Sequence, residues 1–194
     1  MSKKTIAKWM ASCAFCLLAT LMVSPTQAQQ AINAPGNLIL NGDFEQGLKG
    51  WALNSNAGPE GGEGTMAIDD TQKHANRASL RVDNVKAVDT LVKQKVPVKP
   101  NTRYRMTAFI RTKDVTPLKS GSKEGASMAI AGGFIKTPSV TGTKVWTRVT
   151  FEFITRGETE IDIGPRLGHY GNRLTGTAWF ADLSLVEIGK ARGK

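Results

Sequence analysis

Apolar residues recur at every second position through most of this chain, and nowhere beyond residue 28 at the three-and-four spacing of a helix. Tyr104, Met106, Ala108 and Ile110 alternate with Arg105, Thr107, Phe109 and Arg111. Val149, Phe151 and Phe153 alternate with Arg148, Thr150 and Glu152. Leu80 and Val82 alternate with Ser79, Arg81 and Asp83, and Ile161 and Ile163 flank Asp162. In a half-buried strand each set faces one way, so the pattern predicts an antiparallel sheet of several strands. Turn residues separate the runs at Asn41-Gly42-Asp43, Gly58-Pro59, Lys99-Pro100-Asn101, Thr141-Gly142 and Gly171-Asn172. Two stretches rich in Gly, Ser and Pro, about 53–64 and 114–126, read as long loops. Many short strands without helices predict an all-β fold of two packed sheets.

The first residues carry a different pattern. Lys3, Lys4 and Lys8 precede an apolar run from Trp9 to Val23, and Thr26-Gln27-Ala28 ends it with small residues. That order describes a secretory signal peptide over residues 1–28, cleaved near Ala28. It predicts export to the periplasm or the extracellular space. The run is shorter than the ~20 residues of a spanning helix, so no transmembrane segment is expected. Both cysteines, Cys13 and Cys16, lie inside it. Lipidation of Cys13 is the alternative, but most of the apolar run follows that residue, the wrong order for a lipoprotein. The mature chain then has neither disulfide nor thiol nucleophile.

Losing three lysines lowers the formal charge from +10 to +7. The remaining basic residues are spread along the chain, without the concentrated stripe that nucleic-acid binding requires. No nucleic-acid partner is expected. Anionic cell-wall or polysaccharide surfaces fit such a bias, as does plain solvation.

Five segments then point to a family. Asn37–Trp51 reads Asn-Leu-Ile-Leu-Asn-Gly-Asp-Phe-Glu and ends on Gly50-Trp51. Gly176–Ile188 contains Trp179-Phe-Ala-Asp-Leu-Ser-Leu185. Between them lie Arg77-Ala-Ser-Leu-Arg-Val82, Val98–Arg111 and Gly142–Phe151. In this order the segments resemble the carbohydrate-binding modules of families 4, 9, 16 and 22, which are galactose-binding-like jelly rolls. The resemblance covers residues 37–188. It leaves 29–36 as a short linker and 189–194 as a basic, disordered tail. It implies a first strand that bends at Asn41-Gly42 and lies beside the last. Trp51, Trp146 and Trp179 read as core or edge packing.

The resemblance also implies one structural Ca2+ between the first and last strands. Glu45 matches the family's first-strand acid and Asp182 its last-strand acid, with Asp43 assisting. The family's Asp-Asp pair is Ala181-Asp182 here, so one carboxylate is missing. The alternative is that Glu45 and Asp182 accept ordinary hydrogen bonds.

For sugar, the chemistry needed is aromatic faces plus planar hydrogen-bonding groups. Alternation puts Phe109 and Arg111 on one polar face, which Arg81, Asp162 and Arg166 extend. Tyr170, with Asn172, lies in the loop before the last strand and flanks it. The alternative is that Phe109 packs under a loop and the arginines solvate the sheet. Neither His74 nor His169 stands at a metal-like spacing, and no nucleophile elbow or phosphate loop is present. His169 reads as a loop residue.

These residues predict a non-catalytic module that binds a polysaccharide or glycan. An adhesion sandwich contacting a protein or cell-surface partner is the alternative. A weak glycoside hydrolase, or an accessory to one as a partner, is a third reading that needs two carboxyl groups facing one cleft.

Overall fold

A computed structural model describes residues 36–59 and 61–191. The leader, its two cysteines and the linker up to residue 35 lie outside the described residues. Every regular element described is a strand. These are β1 (Ala52–Asn56), β2 (Thr65–His74), β3 (Arg77–Pro97), β4 (Thr102–Pro117), β5 (Ala126–Ile130), β6 (Gly142–Ile154), β7 (Glu160–Leu167) and β8 (Leu174–Lys190). All pairings are antiparallel.

The strands form two layers that share β3. Its first half, through Asn84, pairs with β2 and β8. Its second half, from Asp89 to Pro97, pairs with β1 and β7. One layer therefore runs β2–β3–β8–β4–β6 and the other β1–β3–β7–β5. Register slips between Asn84 and Val88, where the strand leaves one layer for the other. The buried Asn84 side chain satisfies the backbone at that break. Its Nδ2 lies 3.0–3.1 Å from the carbonyl oxygens of Val88, Leu167 and Leu174, and its Oδ1 accepts from Thr90 Oγ1 at 2.7 Å. Unmet buried carbonyls are costly, and one amide removes that cost at both layers.

The core lies between the layers. Tyr104, Met106, Ala108 and Ile110 fill it from β4, Leu80 and Val82 from β3, and Ile161 and Ile163 from β7, as alternation predicts. On β6 the pattern holds for Val149 and Phe153, whereas Phe151 is 38% exposed. β6 is an edge strand, and the four-stranded layer does not cover it along its full length. Trp51 is buried in the core against Phe44, with ring centroids 5.7 Å apart.

Three expectations change. Residues 38–50 are turns and irregular chain, not a first strand. They do lie beside β8: Leu38 N donates to Leu185 O, and Leu183 N donates to Gly42 O at 2.9 Å. A Cβ at Gly42 would stand 2.4 Å from Leu183 O, so only glycine permits this approach. The stretch read as a loop from residue 53 contains most of β1, and β4 runs on to Pro117. At the other end β8 continues to Lys190, opposite Thr102, so residues 189 and 190 belong to the sheet and not to a tail.

Candidate glycan-binding site

On β7, Ile161, Ile163 and Leu167 face the core, so Asp162 and Arg166 project from the outer face of the four-stranded layer. On β3 the buried residues Val88, Val92 and Val96 leave Asp89 on that same outer face. Arg166 and Asp89 meet there as a bidentate pair, Nε to Oδ1 at 2.8 Å and Nη2 to Oδ2 at 2.6 Å. Both are buried. The planar fork fixes the guanidinium, and its carbon lies 4.8 Å from the centroid of the Tyr170 ring.

Tyr170 reaches this place because the chain turns sharply after β7. Gly168 has φ +118°, and a Cβ there would lie 2.7 Å from Asp89 Cα. His169 and Asn172 then bond to each other through their backbones, and Tyr170 forms the tip with φ 43°. A second loop, Ala131-Gly-Gly-Phe134, brings Phe134 alongside. Phe134 and Tyr170 have centroids 5.0 Å apart and are 82% and 42% exposed. His169 is buried beneath them, 4.7 Å from Tyr170 and 5.9 Å from Phe134. Burial, joined by the positive charges of Arg166 and Lys136, holds its imidazole below the ordinary value, although Glu124 and Asp89 pull the other way. It is therefore neutral at neutral pH.

The predicted sugar residues divide between the two layers. Asp162, Arg166 and Tyr170 lie on the four-stranded side, where Asp162 pairs with Lys93 at 2.8 Å. Arg81, Phe109 and Arg111 lie on the outer face of the five-stranded layer. They do not form one groove with the first group. Phe109 is covered by His74, stacked at 4.1 Å, and Arg81 and Arg111 both stand opposite Trp179. Period-two reasoning assigns a residue to inside or outside, but not to a layer. Phe134, Asp89 and His169 went unrecognised as site residues. The Gly-Gly-Phe sequence was the available signal for Phe134.

The calcium ligand set does not fit. Asp182 sits in a bulge of β8 with φ 54° and is 1% exposed. Arg77 Nη2 donates to its Oδ1 at 2.6 Å, and His74 Nδ1 lies 2.6 Å from its Oδ2. Both oxygens are thus committed to the protein's own nitrogen groups. Glu45 is exposed, and Asp43 Oδ1 accepts from the Glu45 amide. No group of three or more His, Cys, Asp or Glu side chains capable of holding an ion occurs among the described residues. With Ala181 in place of a second acid, this clasp is an ion pair.

Comparison with known proteins decides the family. A family model described as a carbohydrate binding domain matches residues 36–162. The chain belongs to this family. The match ends in β7, and β8 completes the carbohydrate-binding fold in the structure. A family 16 carbohydrate binding module superposes with a TM-score of 0.52 at 20% identity, covering 78% of this chain and 100% of that one. The enzymatically active domain of tailspike protein 4 from bacteriophage CBA120 superposes with a TM-score of 0.57 at 11% identity. That match covers 78% of this chain and 21% of the tailspike chain, so this chain spans about a fifth of its length. An arabinose-bound α-L-arabinofuranosidase gives 0.52 at 19% identity, over 78% of this chain and 26% of the other. These likenesses show the jelly-roll sandwich alone. No curated protein matched the sequence.

Proposed function

We propose that this carbohydrate-binding chain holds a glycan against Tyr170 and Phe134, without catalysing a reaction on it. The observation that carries this reading is the pair of exposed rings, 5.0 Å apart, beside the buried Arg166–Asp89 fork. Sugar C–H faces rest on aromatic rings, and fixed polar groups beside the rings select hydroxyl positions. Arg166, beneath Tyr170, holds that ring in place before ligand arrives, which lowers the entropy cost of binding.

Asp89 has both oxygens tied to Arg166, so it is not a free acid or base. The site is accordingly read as a binding surface. Two exposed aromatic rings at one place favour sugar over a protein-adhesion role. Export by the leader over residues 1–28 suits a module that meets polysaccharide outside the cytoplasm. Calcium has no part in this reading.

Affinity electrophoresis through gels containing neutral polysaccharides (galactan, xylan, arabinan and mixed-linkage glucan) tests the assignment. Tyr170→Ala and Phe134→Ala should each weaken retention by about tenfold, on the order of 1.4 kcal/mol. The thermal midpoint of Phe134→Ala should stay near wild type, since that ring is 82% exposed. Wild-type retention in both variants would remove the site from consideration. No retention of the parent chain on any gel would end the glycan reading itself.

A further inference from the structure

On the outer face of the four-stranded layer Lys93 pairs with Asp162, Lys95 with Glu160, Lys136 with Glu124 and Arg166 with Asp89. The outer face of the five-stranded layer differs. There Arg103 and Arg105 share the single carboxylate of Glu152, and Arg81 takes Asp83. Lys73, Arg111, Lys113 and Arg148 form no ion pair with any described residue.

Two strands bring the last three of these cations together. Arg148 on β6 stands directly opposite Phe109 on β4, and Arg111 is two residues along β4 from Phe109. Lys113, two residues further, lies opposite Thr177. The β2–β3 hairpin brings its backbone at Lys73 and the His74 ring onto this face. Trp146 Nε1 donates to the Lys73 carbonyl at 2.9 Å, and His74 stacks on Phe109 and tilts against Trp146 at 5.1 Å. Residues two apart on a strand are about 6.7 Å apart, and adjacent strands about 4.8 Å. The cations therefore form a short lattice around a half-buried indole. Asp114 is the acid beside Lys113, and its carboxylate accepts from Thr143 Oγ1 at 3.1 Å.

We propose that this face, with Arg111, Lys113 and Arg148 around Trp146, is a second binding surface that takes an acidic polysaccharide. Guanidinium forks match carboxylates in bidentate fashion, and a polymer with one anion per sugar offers carboxylates in series. Single-stranded nucleic acid would need open aromatic faces for its bases. Here Phe109 is capped by His74, and Trp146 is held edge-on by the hairpin. The chain thus carries two faces of different chemistry, one for sugar rings and one for polymer charge.

Retention on gels containing polygalacturonate, run beside the neutral gels, tests this. The full chain should be retained by polygalacturonate at low salt and released as ionic strength rises, because exposed charges are screened. The double variant Arg111→Gln/Arg148→Gln should lose at least tenfold in polygalacturonate retention and keep its retention on neutral gels. Tyr170→Ala should show the reverse. Wild-type polygalacturonate retention in the double variant would overturn the proposal. So would equal loss on both gel types in either variant, or displacement by duplex DNA at a lower charge concentration than by polygalacturonate.

Discussion

Asp69 illustrates how single side chains set the response to acid. Burial would raise its carboxyl, but the Thr71 hydroxyl, the Trp179 indole and the amides of Thr71 and Gln72 outweigh it and lower the pKa from 3.8 to about 2. A depressed acid stabilises the fold above its unfolded pKa and loses that contribution as the folded value is approached. Stability from Asp69 should therefore disappear between pH 3.8 and about 2. His169 acts at higher pH with the same sign. The unfolded imidazole takes a proton more readily than the buried one, so stability falls as pH drops below its ordinary 6.5. Urea midpoints measured across this range should decline in two steps. Asp69→Asn should flatten the lower step and His169→Gln the upper. A single step unaffected by either change would contradict this account.

Among the elements, β4 was legible in the sequence because one of its faces is buried and the other, Phe109 apart, is polar. β5 was not. Ala126–Ile130 is buried along its whole length, and alternation vanishes when both faces are covered. β3 hid its length for another reason. Its 21 residues pass through two layers, and Val85 at the crossing is exposed, which breaks the periodic signal. Asn84 makes that crossing possible, and its truncation tests the point. Asn84→Ala removes the amide that three buried carbonyls and the Thr90 hydroxyl share, leaving Thr90 only Ser55. It should cost on the order of 3 kcal/mol. Chemical denaturation reads this directly, with one cooperative transition retained. A loss below about 0.5 kcal/mol would mean that water or a neighbour replaces the amide.

For the molecule as a whole, the sandwich and its glycan-binding family were readable from five short motifs, because turn glycines and core aromatics occur in a fixed order. The site was readable only in part. Alternation assigns Asp162 and Arg166 to one polar face with Arg81, Phe109 and Arg111, flanked by Tyr170, yet the layers separate the two groups. Pairing partners, not spacing along one strand, decide which sheet a polar residue faces. The calcium ligand set inferred from the motifs meets the same limit. The opening and closing segments do meet, but Arg77 and His74 occupy both oxygens of Asp182. Melting with excess calcium and with chelator should accordingly give the same midpoint. By contrast, Asp182→Ala, which removes a buried carboxylate bonded to both Arg77 and His74, should cost about 3 kcal/mol. A calcium-dependent rise in the midpoint would reinstate an ion.

A strand common to both layers also governs how load travels. Tension from a polymer held at Tyr170 passes through Arg166 beneath it to Asp89. From Asp89 it continues along one unbroken backbone to Leu80 and Val82 in the opposite layer. The two sheets cannot be peeled apart at their packed interface without also stretching that chain. A hold at one surface is thereby anchored covalently in the other.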